Sequence, residues 1–235
     1  AIATVVAGIG ANTPRLTAAT GSAVLPPPDA AAHGAAAHGV PSHGAPAPTP
    51  GAPAVKPKGL DQTQALLKEA AVVLLKEGNA RYVAGESKHP NLDSNRRAIT
   101  VSEGQKPFVT VVGCSDSRVP VEEIFDRGIG EIFTIRVAGN IAGPSETATV
   151  EYGVEHLGTP VLVVLGHTKC GAVTAVVKDA ELHGNLPFLA NKIRPAARQA
   201  KALGKTGDEC VSAAIEANVF QTINDLFVSS SVVRE

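Results

Sequence analysis

The run Phe108-Val109-Thr110-Val111-Val112-Gly113, leading straight into Cys114-Ser115-Asp116-Ser117-Arg118, decides how this chain folds. It is short, β-branched and without polar alternation, as a strand reads when helices cover both faces of a parallel sheet. Two more runs share that character, Ile132-Phe133-Thr134-Ile135-Arg136-Val137 and Val161-Leu162-Val163-Val164-Leu165-Gly166. Between these two, residues 145–157 place Ala148, Tyr152 and Val154 suitably for a helix, and helical stretches follow at 172–183, 188–203 and 209–228. Upstream, Leu66, Leu67, Ala70, Ala71, Leu74 and Leu75 recur at helical spacing, with Asp61 or Thr63 to cap the start and Gly78 to end the helix. Strands alternating with helices predict an α/β domain with a central, mostly parallel β-sheet flanked by helices.

Composition divides the 235 residues in two. Residues 1–58 contain no Phe, Tyr or Trp, and Arg15, Asp29, Lys56 and Lys58 are their only charges, while more than half of the 17 prolines fall there. Such a Pro/Ala/Gly-rich leader buries too little apolar surface to offset its ordering entropy and is predicted to be disordered. Residues 59–235 suit one compact domain. Within the leader His33, His38 and His43 repeat every five residues, a spacing that preorganises no ligand set. The apolar start, Ala1 to Ile9, is too short for a bilayer span. It reads either as the remnant of an export signal or as the Ala-rich beginning of a cytoplasmic chain. The absence of Met predicts that the natural chain begins upstream. A net charge of −1 leaves no basic excess for a nucleic acid, and no apolar run is long enough to cross a membrane.

In open parallel sheets ligands sit beyond the carboxyl ends of the strands. Two of the predicted strands end in Cys114 and in Gly166-His167-Thr168-Lys169-Cys170-Gly171. His167 and Cys170, three apart at a strand-to-helix turn, can face one point, and Cys114 ends a strand expected to lie alongside. Thiolate, imidazole and thiolate are ligands that zinc selects, in a site with three protein ligands and an open fourth position. The odd count of three cysteines, with Cys210 the third, suits a metal site better than a disulfide framework. Asp116 and Arg118 alternate around Ser117, so they point the same way and can form a bidentate ion pair. A carboxylate fixed in this way stays ionised at neutral pH.

The pair C-x-D-x-R and H-x-x-C resembles the signature of beta-class carbonic anhydrases. So do Gly78-Asn79-Ala80-Arg81-Tyr82, Arg136-Val137-Ala138-Gly139-Asn140 and Glu151-Tyr152-Gly153-Val154-Glu155-His156-Leu157-Gly158. The resemblance implies one Zn2+ per chain on Cys114, His167 and Cys170. It implies reversible hydration of carbon dioxide to bicarbonate and a proton by zinc hydroxide, oriented by the Asp116–Arg118 dyad. It places the substrate cleft at Gln105, Phe133, Ala138, Tyr152 and Gly171, with Ala138 where many members have valine. Some members hold bicarbonate at an inhibitory site that needs a Trp where this chain has Val111, so the form with a free zinc position is expected. The resemblance also implies a homodimer or higher even oligomer with the cleft at a subunit boundary. Independently, Leu66, Leu67, Val72, Val73, Leu74 and Leu75 give the first helix more apolar surface than one core-facing stripe needs. Family members continue beyond the equivalent of Glu235 into a further strand at the sheet's other edge, so the domain is expected to lack its C-terminal strand. Hydrolysis of carbonyl sulfide or carbon disulfide at the same site, and a zinc-stabilised scaffold without turnover, are the rival functions.

Overall fold

The computed structural model describes residues 3–8 and 59–235, with side chains from residue 63 onward. In chain order the elements are β1 (Ala3–Gly8), α1 (Gly59–Ala84), α2 (Ser94–Glu103), β2 (Val109–Gly113), α3 (Val121–Ile124), β3 (Ile132–Arg136), α4 (Pro144–Glu151), a π-helical turn (Tyr152–His156), β4 (Val161–Gly166), α5 (Gly171–Val177), α6 (Leu186–Ala202), α7 (Gly207–Ser229) and α8 (Ser231–Arg234). Every strand pairing among them is parallel, in the order β1-β4-β2-β3. The three expected strands fall on β2, β3 and β4. All five residues of β2 and all six of β4 are buried, because helices cover both faces. β3 is an edge, and its two ends differ accordingly, with Ile132 buried and Arg136 exposed.

One face packs Val109, Val111, Val161, Val163 and Leu165 against Ala71 and Leu75 of α1 and Val121 and Ile124 of α3. The other packs Val112, Ile135, Leu162 and Val164 against Val150 of α4 and Val219 and Leu226 of α7. A third cluster joins α5, α6 and α7 around Cys114 and Cys170, at the carboxyl end of the sheet. Because β3 follows β2 on one side and β4 lies on the other, the chain reverses direction across the sheet at β2. That switch opens a crevice beyond the ends of β2 and β4.

Several expectations need correction. α1 does not stop at Gly78. It runs on to Ala84, because Gly78 serves a close approach: a Cβ there would stand 1.7 Å from the Phe125 carbonyl oxygen. The segment after β4 is helical only to Val177, since Lys178 caps α5 and Asp179 turns left-handed at φ 51°. Helix α2, whose start Asp93 caps by accepting from the Arg96 N–H at 2.8 Å, was not expected, nor were α3 and α8. Ala3–Gly8, expected to be disordered with the rest of the leader, pairs along β4 from Ala3 beside Val161 to Gly8 beside Gly166. It occupies the edge for which a C-terminal strand was expected. The rest of the leader, His33, His38 and His43 included, lies outside the described residues. No helix among the described residues is long and apolar enough to cross a membrane.

Candidate metal centre

Two loops meet at the crevice. Cys114 leaves β2 directly after Gly113, His167 leaves β4 directly after Gly166, and Cys170 is the residue from which α5 starts. All three are buried, at 4%, 5% and 1% exposure. Their two Sγ atoms and a His167 ring nitrogen lie within 4.8 Å of one another. A tetrahedral ion bound at the usual zinc–sulfur and zinc–nitrogen lengths needs donor separations of about 4 Å, so a small contraction closes the set. His167 Nδ1 lies 3.1 Å from the Thr168 carbonyl, which can only accept. A proton on Nδ1 is satisfied there, and Nε2 is buried and without a hydrogen-bond partner among the described residues. An orphaned imidazole nitrogen beside two buried thiols is costly unless something binds there, and a soft divalent metal fits that donor set. The thiols are coupled. The Cys114 thiol is driven down, chiefly by the hydrogen bond from Cys170, and the Cys170 thiol is driven up by the same partner and by burial.

The dyad forms as an ion pair. Arg118 Nε donates to Asp116 Oδ1 at 2.9 Å and its Nη2 to Oδ2 at 2.8 Å, while the Arg118 backbone N–H also reaches Oδ1 at 2.9 Å. The guanidinium, and then that N–H, hold the Asp116 carboxyl well below the usual carboxylate range. Arg118 Nη2 also donates to the Lys169 carbonyl at 3.1 Å, tying the Cys114 loop to the loop carrying His167 and Cys170.

Other residues complete the scaffold, and no role for them was read from the sequence. Arg136, at the end of β3, donates to the Cys114 carbonyl at 3.0 Å and to the Asp116 carbonyl at 2.6 Å. The Gly139 N–H points at Cys114 Sγ from 3.3 Å. Asn218 and Thr222 of α7 reach the carbonyls of Gly139 and Asn140. The motif from Arg136 to Asn140 was legible as a motif, and its place just after a strand was the available signal. Nothing in the sequence pointed to Asn218 or Thr222.

The expected cleft residues fall into two groups. Ala138 and Gly171 adjoin the donor set, one beside Gly139 in the turn after β3 and the other first in α5. Phe133 and Tyr152 pair with each other, ring centroids 5.8 Å apart, and Tyr152 is about half exposed. Phe133 stands in register with Thr110, four residues before Cys114, which is about 13 Å along the strand. Gln105 is exposed in the segment between α2 and β2. The aromatic pair therefore stands away from its own chain's donor set.

The fold and donor set define an α/β protein able to hold a metal ion in a strand-end crevice. The family model for carbonic anhydrase matches residues 109–235. Carbonic anhydrase 2 of Mycobacterium tuberculosis is 37% identical over 169 residues, 71% of this chain and 80% of that protein. The structure of the beta-carbonic anhydrase CafA of Aspergillus fumigatus aligns with a TM-score of 0.54 at 31% identity, over 74% of this chain and 78% of that one. A tetrameric beta-carbonic anhydrase of Sordaria macrospora aligns with a TM-score of 0.53 at 26% identity, over 71% and 84%. The chain belongs to the carbonic anhydrase family, in its beta class, whose general reaction is hydration of carbon dioxide.

Proposed function

We propose that this chain catalyses zinc-dependent, reversible hydration of carbon dioxide to bicarbonate and a proton. The observation that carries the reading is the placement of Asp116, whose Oδ2 stands 4.0 Å from His167 Nε2 while Arg118 holds both carboxylate oxygens. The acid thus borders the donor set without joining it. Cys114, His167 and Cys170 would hold the ion. Zinc bound there supplies a Lewis acid that lowers the pKa of a coordinated water toward 7, the handling of water for which carbonic anhydrase is the standard example.

The chain's own groups do the rest. Arg118 keeps Asp116 ionised and fixes its orientation, so Oδ2 accepts a hydrogen bond from the nucleophile and aims it. Ala138 and Gly171 flank the donor set and leave room for a small linear substrate; a Cβ on Gly171 would meet nothing within 4 Å among the described residues. Phe133 and Tyr152 offer an apolar wall and Gln105 an amide for the bicarbonate oxygens. Phe133 and Tyr152 lie too far from their own donor set, so with Gln105 they serve the donor set of a second copy in a homodimer or higher even oligomer.

The test combines metal analysis with stopped-flow hydration, with carbonyl sulfide run alongside. Wild-type protein is expected to carry one zinc per chain and hydrate carbon dioxide, and Cys170→Ser to lose both. Zinc without hydration would leave a scaffold, faster turnover of carbonyl sulfide would leave a different hydrolase, and full zinc occupancy in Cys170→Ser would remove the site as drawn.

A further inference from the structure

Asn218 sits in the middle of α7 at 1% exposure, far from the crevice in sequence and without charge. Its Nδ2 donates to the Gly139 carbonyl at 2.7 Å, and its Oδ1 has no partner among the described residues. One turn further along the helix, Thr222 Oγ1 donates to the Asn140 carbonyl at 3.0 Å. Two successive carbonyls of one turn are thus held from α7. That turn is unusual, because Gly139 and Asn140 are both left-handed, at φ 78° and 44°. A Cβ at Gly139 would also press on Ile193, standing 2.7 Å from its Cδ1. The shape imposed on it aims the Gly139 N–H at Cys114 Sγ.

We propose that Asn218 is a positioning residue for the metal centre, acting through Gly139 to hold an N–H donor against the Cys114 sulfur. A buried asparagine with one satisfied group is a poor choice for stability alone, because its free Oδ1 costs desolvation that an apolar residue would not. What it supplies is the bond to Gly139. An N–H donor on a thiolate ligand draws charge from the sulfur and fixes its orientation, and outer groups of this kind commonly alter metal affinity by about 10–100-fold. The inference rests on the reading that Cys114 ligates the metal.

Cobalt(II) substitution separates the two. In wild-type protein the ion should give a thiolate-to-cobalt charge-transfer band. Asn218→Leu keeps the branching and number of side-chain heavy atoms and removes the donor; it is expected to shift that band and to weaken cobalt binding about 10-fold or more. Asn218→Ala, which cannot overpack, should do the same if the leucine variant folds poorly. Leu226→Val, a core trim on the same helix, should lower Tm while leaving band and affinity at wild-type values. A wild-type band and affinity in both Asn218 variants overturns the proposal, as does an equal change in Leu226→Val. Absence of any charge-transfer band in the wild type overturns the metal reading beneath it.

Discussion

Asp116 stands 4.0 Å from the free Nε2 of His167 and is clamped from the other side by three N–H groups of Arg118. This fixes the division of labour at the centre: His167 belongs to the set that could hold a metal, and Asp116 keeps its charge beside it. Replacing either dyad member should therefore leave metal content near wild type and lower hydration by roughly 10²-fold or more. Zinc analysis and stopped-flow rates on Asp116→Ala and Arg118→Ala check this, and near-normal rates in either would remove the dyad's role.

The dyad also sets a pH dependence. Arg118 depresses the Asp116 pKa, so its carboxylate is ionised throughout the neutral range and loses charge only in strong acid. The wild-type rate profile should show no inflection at ordinary carboxylate pH. In Arg118→Ala the Asp116 pKa returns toward that range. A new loss of residual activity should then appear as pH falls through about 4. An unchanged profile shape in the variant would separate Asp116 from the rate.

A buried acid elsewhere in the fold contributes to stability. Asp126 accepts from Arg81 Nε at 2.5 Å and from the backbone N–H groups of Lys88 and His89 at 2.9 and 2.8 Å. Burial works to raise its pKa, but these donors outweigh it and bring the value from 3.8 down to about 2. A depressed pKa contributes stability that is present above the unfolded value and lost as pH falls through the folded one. Asp126→Asn tolerates the local φ of 46° but lacks the charge. Its Tm should lie below wild type by on the order of 5 °C at pH 7. The gap should narrow between pH 4 and 2; a constant gap would show that charge is not the cause.

The parts legible in sequence were those written locally. β2 and β4 announce themselves because both faces are buried, and the short spacing from His167 to Cys170 at a strand end already suggests convergence. Gly78 misled because a glycine looks the same whether it ends a helix or admits a neighbouring carbonyl. Arg136 and Asn218 act on residues 22 and 79 positions away, and no periodicity encodes that. Ala3–Gly8 reads as an apolar scrap of leader because a six-residue run gains meaning only beside β4.

That strand gives the leader a testable role. With residues 1–58 removed, the metal centre keeps every contact described above, so zinc content and hydration should persist. The β4 edge loses its partner, and Tm should fall by a few degrees, since each ladder bond is worth about 1 kcal/mol. Calorimetry on the truncated chain decides it, and an unchanged Tm would show that β1 adds nothing to the folded domain.

The last prediction concerns assembly. Phe133 and Tyr152 form a half-exposed aromatic pair about 13 Å along the strand from their own Cys114, a distance at which they cannot touch a substrate on that site. α1 leaves Leu66, Leu67 and Val73 exposed, apolar surface available for a second copy. If the wall of each site comes from the partner, two separately crippled chains should rescue one another. Cys170→Ser lacks a metal site but keeps its aromatic pair; Phe133→Ala/Tyr152→Ala keeps its metal site but lacks the wall. Neither homodimer should hydrate carbon dioxide well. Co-expressed, a mixed dimer contains one complete site, the metal centre of the second variant facing the aromatic pair of the first, so activity should rise well above that of either parent. A fully active wild-type monomer in sedimentation, or no gain on mixing when mixed dimers are shown to form, would place the wall and the metal on one chain and refute the shared site.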